Sequence, residues 1–191
     1  MTVFVARETK DLLKFETKTA VLSEQTSQNS ATPSALLYFS QPSTTYSNLN
    51  TPIQTNIMIN SGNADVSEIQ IELKYNPIAI TFVNATFPDQ IFLGNRENFR
   101  ISFNEVDPIL GRVSLAVKTK PNGYPKKGIG TVATLSFLPK STSTGMISFT
   151  PASSVSSPRS PASILAKTYN TTFTYKPIST SSAQPNLQPV Q

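Results

Sequence analysis

Between Glu68 and Tyr75 the chain alternates without a break: Ile69, Ile71, Leu73 and Tyr75 are apolar, whereas Glu68, Gln70, Glu72 and Lys74 are polar or charged. A period of two puts the four apolar side chains on one face, so the segment predicts a strand of a half-buried antiparallel sheet. Pro77 has no N–H to give to a ladder, and the strand is expected to turn at Asn76.

Similar runs, each bounded by Pro, Gly, Asn or Ser, recur from Ala35 onward at the spacing of a sandwich. Strands are predicted over Ala35 to Phe39, Ile53 to Asn60, Ile78 to Ala85, Phe99 to Phe103, Arg112 to Lys118, Gly130 to Leu138, Gly145 to Thr150 and a last region from Ile164 to Tyr175. Inward rows are expected at Ile53, Thr55, Ile57 and Ile59, at Phe99, Ile101 and Phe103, and at Val113, Leu115 and Val117. The Asp107 to Gly111 connection is short enough for a hairpin joining the Phe99 and Arg112 strands, and Lys120 to Lys127 is a turn-rich loop. No internal repeat is present.

These signals delimit one β-sandwich domain over residues 34–175. Residues 1–33 are expected to be a charged lead-in and flexible linker, with a short helix between Arg7 and Leu22 whose apolar stripe is thin. The Pro-, Ser-, Thr- and Gln-rich residues 176–191 lack periodicity and are expected to be a disordered tail. No run approaches the roughly 18 apolar residues of a membrane span. Val3-Phe4-Val5-Ala6 followed by Arg7 suits the end of an anchor lying upstream.

Composition then narrows the chemistry. A chain of 191 residues, 38% hydrophobic and 14% charged, fits one globular β domain better than a disordered polymer. With no cysteine there is neither a disulfide framework nor a thiolate zinc site, and with no histidine the Ser-His and Cys-His nucleophile systems are excluded. The net charge of +5 is spread out, only Lys126 and Lys127 being adjacent, which indicates a solvated surface and no nucleic-acid partner.

Ile69-Gln-Ile-Glu-Leu-Lys-Tyr-Asn-Pro-Ile-Ala-Ile80 resembles the signature strand and turn of cohesin modules, an alternating strand ending in Leu-x-Tyr-Asp/Asn-Pro. Gly111-Arg-Val-Ser-Leu-Ala-Val117 resembles that family's Gly-basic-aliphatic strand, and Gly130-Thr-Val-Ala-Thr-Leu-Ser-Phe-Leu138 is similar to its Gly-x-Leu-Ala-x-Ile-x-Phe strand. The resemblance implies an all-β, antiparallel β-sandwich of about nine strands with jelly-roll topology, shared with cellulose-binding modules. It also implies a non-catalytic module of a larger extracellular or cell-surface protein, which binds a protein partner such as a dockerin through an exposed sheet face or acts as a spacer.

Strand phase draws that face through Glu68, Gln70, Glu72 and Lys74, through Arg100, Ser102 and Asn104, and through Arg112, Ser114 and Lys118. The alternative is a carbohydrate-binding module of a polysaccharide-degrading system. Without tryptophan, its stacking platforms would be Tyr46 and Tyr124, the two tyrosines in predicted loops. The closest acidic pairs, Asp65 with Glu68 and Glu105 with Asp107, lack the Asp-x-Asp-x-Asp-Gly pattern of a calcium loop, so no metal or other cofactor is assigned. Glu68 and Glu72 lie about 13 Å apart along a strand, beyond the roughly 5 to 9.5 Å separation of glycosidase carboxylates, which argues against an enzyme.

Overall fold

The computed structural model describes residues 32–177. The predicted Arg7 to Leu22 helix, the anchor-like Val3 to Ala6 segment and the tail from residue 178 lie outside the described residues.

Five strands form one sheet in the order β13 (Leu165–Tyr169), β1 (Ala35–Phe39), β3 (Ile53–Asn60), β10 (Ile129–Pro139) and β5 (Ile80–Thr86). The facing sheet runs β2 (Ser43–Tyr46), β14 (Thr171–Tyr175), β11 (Gly145–Phe149), β4 (Glu68–Tyr75), β9 (Arg112–Thr119) and β8 (Phe99–Asp107), with the short β12 (Ser154–Ser156) also paired to β4. A small hairpin of β6 (Gln90–Ile91) and β7 (Gly94–Asn95) stands apart. Among the described residues every regular element is a strand. Pairing is antiparallel apart from β1 with β13 and β2 with β14, which run parallel.

The inward rows are those that alternation marks. Ile69, Ile71, Leu73 and Tyr75 of β4 and Val113, Leu115 and Val117 of β9 are buried against Leu37 and Phe39 of β1, Ile57 and Ile59 of β3, and Leu135 and Phe137 of β10. Aromatic contacts stitch the two layers together: Phe39 meets Phe149 at 4.9 Å, and Phe137 meets Tyr75 at 5.6 Å and Phe173 at 6.2 Å.

The chain leaves β4 for the other sheet at the Asn76-Pro77 corner. The Asn76 side chain accepts the Ile78 N–H at 2.9 Å, and its carbonyl accepts the N–H groups of Ala79 and Ile80 at 3.1 Å, which starts β5. The β8–β9 hairpin is closed similarly: Asp107 Oδ1 accepts the N–H groups of Ile109 and Leu110, and Gly111 takes a φ of +64°.

Three departures from the pattern have physical causes. β8 continues to Asp107 because a bulge at Ser102 resets its register against β9 (Ile101 faces Val117, Phe103 faces Ala116), leaving Ile101 and Phe103 partly exposed. The region from Ile164 to Tyr175 divides at Asn170, its two halves joining different sheets. Strands β2, β6, β7 and β12 are too short, or too rich in Ser and Thr, to produce an apolar alternation.

On the inward row of β3, the Thr55 hydroxyl is buried without a hydrogen-bond partner. Desolvating a hydroxyl without compensation costs about 1–3 kcal/mol, so Thr55→Val is expected to stabilise the fold by about 1 kcal/mol. Urea denaturation checks this; an unchanged or lowered midpoint would show that Thr55 has a partner in solution.

Candidate functional site

The register between β4 and β9 sets Glu68 opposite Lys118, Gln70 opposite Ala116, Glu72 opposite Ser114 and Lys74 opposite Arg112. All of these alternate with the buried row, so they share the outer face of the sheet. Across β9, Lys118 faces Arg100, Ala116 faces Phe103, Ser114 faces Glu105 and Arg112 faces Asp107. Four rungs result. Arg100 and Lys118 stand with Glu68 at one end and Arg112 and Lys74 with Asp107 at the other, so each end is net basic, with Glu105 and Glu72 between.

The rung between the first basic pair and the acids is apolar at its centre, with half-buried Phe103 beside Ala116. Glu72 is held in place: Ser114 Oγ donates to its Oε2 at 2.5 Å and Gln70 Nε2 to its Oε1 at 3.5 Å. The basic ends make no ion pair within 4 Å on this face among the described residues, so their charges remain available to a ligand.

Of the positions drawn from strand phase, Glu68, Gln70, Glu72, Lys74, Arg100, Arg112, Ser114 and Lys118 share this face. Asn104 does not: the bulge sets it opposite inward-facing Leu115, on the core side of an exposed edge. Ser102 is the extra residue of the bulge and has no partner on β9. Phe103, Glu105 and Asp107 take the outer positions instead. A signal for this lies in the chain, where the apolar phase slips from odd-numbered Phe99 and Ile101 to even-numbered Val106.

Tyr46 is not a stacking platform. It closes the end of β2, 8% exposed, with its hydroxyl donating to the carbonyls of Ser141 at 2.8 Å and Ser143 at 3.0 Å and its ring edge-on to Tyr175. Burial, reinforced by the Tyr175 phenol, raises its pKa above the usual 10.0. Tyr124 is 75% exposed on the wall of an open concavity of about 530 Å³. Asp65 pairs with Arg159 at 3.3 Å, and no group of three metal-ligating side chains occurs among the described residues.

Two facing sheets in this strand order constitute the cohesin fold, a jelly-roll β-sandwich. The solved structures similar to this chain include the seventh ScaB type I cohesin of Pseudobacteroides cellulosolvens, 14% identical with a TM-score of 0.60 over 82% of this chain and 97% of that one. The third ScaC cohesin of Acetivibrio cellulolyticus, solved with the ScaB dockerin, is 13% identical with a TM-score of 0.58 over 74% and 98%. A non-cellulosomal cohesin of the archaeon Archaeoglobus fulgidus is 15% identical with a TM-score of 0.52 over 74% and 91%. Neither protein-family models nor curated proteins give a match to the sequence.

Proposed function

We propose that the chain is a non-catalytic module that docks a protein partner, a dockerin or a module like it, on the outer face of β4, β9 and β8. The reading rests on one observation: a three-strand face with net basic ends, acids between them and an aromatic at Phe103, carried on a cohesin fold. Such a face suits a partner with acidic groups over the basic ends and a hydrogen-bonding or basic group over Glu72 and Glu105. The face spans roughly 14 Å across the strands and 26 Å along them, about half of the ~800 Å² each partner contributes to a stable complex. A partner of that kind therefore also covers the neighbouring β11 and β12 or the hairpin tip, where Ile109 and Leu110 are exposed. The cohesins of similar fold come from scaffoldins and from a non-cellulosomal protein, which supports a place in a larger extracellular or surface protein, with any anchor outside this domain.

Purified dockerins, titrated calorimetrically in a panel, test the reading. Arg112→Glu is expected to weaken the binding dockerin by about tenfold or more, with a loss of salt dependence, whereas Lys167→Glu on the opposite sheet leaves it unchanged. Equal weakening by both variants would remove this face from the interaction, and no binding by any dockerin would remove that class of partner.

A further inference from the structure

We infer that the concavity beside Tyr124 is a binding subsite for a neutral oligosaccharide, separate from the protein-docking face. It lies between the small β6–β7 hairpin and the loop after β9, and it is lined by Gln90, Asn95, Glu97, Asn122, Tyr124 and Lys126. Its volume of about 530 Å³ falls within the range of small-ligand sites and matches a di- or trisaccharide.

The construction of the site carries the inference. The Asn98 side chain clamps the loop at Tyr124 from both directions: its Oδ1 accepts the Tyr124 N–H at 2.7 Å and its Nδ2 donates to the Tyr124 carbonyl at 3.0 Å. The same amide nitrogen donates to the Leu93 carbonyl, tying the loop to the hairpin. The loop is closed further by Gly123 N–H to the Lys120 carbonyl and by the paired bonds between Lys126 and Val66. At Gly123 a Cβ would stand 2.5 Å from the Asn98 carbonyl, so glycine is required for the close approach. A tied-down backbone thus presents a largely exposed aromatic ring at the concavity.

Around that ring the side chains of Gln90, Asn95, Glu97 and Asn122 make no hydrogen bond to other described residues. Amides and a carboxylate supply the donors and acceptors that vicinal hydroxyls require, while the ring face takes the apolar C–H face of a pyranose. Glu97 and Lys126 give the rim one charge of each sign, which favours a neutral sugar over a uronate or a phosphate.

The test is titration of the ¹⁵N-labelled protein with cellotriose, xylotriose, laminaritriose and tri-N-acetylchitotriose, followed by amide shifts. Saturable shifts confined to residues 90–98 and 120–126 are expected with at least one of the four sugars. Tyr124→Ala is expected to weaken that binding about tenfold or more, and Tyr124→Phe, which keeps the ring face, to retain it. Absence of saturable shifts with all four, or binding unaffected by Tyr124→Ala, would overturn the inference. The result is independent of the docking proposal: Tyr124→Ala is expected to leave dockerin affinity unchanged, and Arg112→Glu to leave sugar affinity unchanged.

Discussion

Phe137→Ala is expected to lower the free energy of unfolding by about 3–5 kcal/mol, and the melting temperature by about 10 °C or more. Phe137 is fully buried on β10, an inner strand of the five-stranded sheet, yet most of its ring contacts lie across the interface. Tyr75 of β4 and Phe173 of β14 approach it from the facing sheet, at 5.6 Å and 6.2 Å, while Phe82 of β5 packs edge-on at 5.4 Å from its own. Truncation removes the transfer free energy of a whole ring and leaves a cavity between two hydrogen-bonded sheets, which cannot close on it without breaking ladders. Edge-to-face aromatic pairs add about 0.5–1.5 kcal/mol each beyond area, so Phe137→Leu, which refills much of the volume, still loses part of the stability. Chemical denaturation of the two variants measures both quantities. A cost below about 1 kcal/mol for Phe137→Ala would mean that the sheets are not held together at this point.

The layered core was legible in the sequence because β3 and β4 bury only one face, as β9 does apart from Ala116, and one-sided burial writes itself as an alternation. The outer face of β4 and β9 followed from the same alternation wherever registers are regular, as in the unbroken pairing from Glu68–Lys118 to Lys74–Arg112. It was misread on β8, because an edge strand can accept an extra residue at Ser102 without burying it, and one residue exchanges the two faces beyond. Hence Asn104 falls away from the face and Glu105 and Asp107 join it. Tyr46 escaped for a different reason: the Ser- and Thr-rich β2 has no apolar rhythm, and its burial depends on carbonyls of Ser141 and Ser143 nearly a hundred residues away. The Tyr124 concavity is equally non-local, since the clamp from Asn98 joins two loops that no periodic signal connects.

Gly111→Ala is expected to cost at least about 3 kcal/mol, because two separate penalties meet at this buried hairpin glycine. Its φ of +64° is left-handed, which alone costs an alanine about 1–2 kcal/mol. In addition, a Cβ at this position would stand 2.2 Å from the Tyr75 carbonyl oxygen and 2.9 Å from Pro77 Cδ. Both obstacles are backbone or ring atoms that no rotamer change can move aside. Relief requires drawing the hairpin away from the Asn76-Pro77 corner and breaking the bond from the Tyr75 N–H to the Gly111 carbonyl, 2.8 Å long. Gly62 is the internal control, since its φ of +57° carries the same conformational penalty and a Cβ there meets nothing within 4 Å. Gly62→Ala is therefore expected to cost about 1–2 kcal/mol, and the difference between the two variants isolates the steric part. Equal costs in urea denaturation would refute the close approach of the hairpin to the corner. Because Arg112 follows Gly111 and forms a rung with Lys74 and Asp107, Gly111→Ala is also expected to weaken partner binding under conditions where the variant stays folded, and Gly62→Ala is not. A local change at one glycine thus tests together the packing of the β4 corner and the dependence of the charged rung upon it.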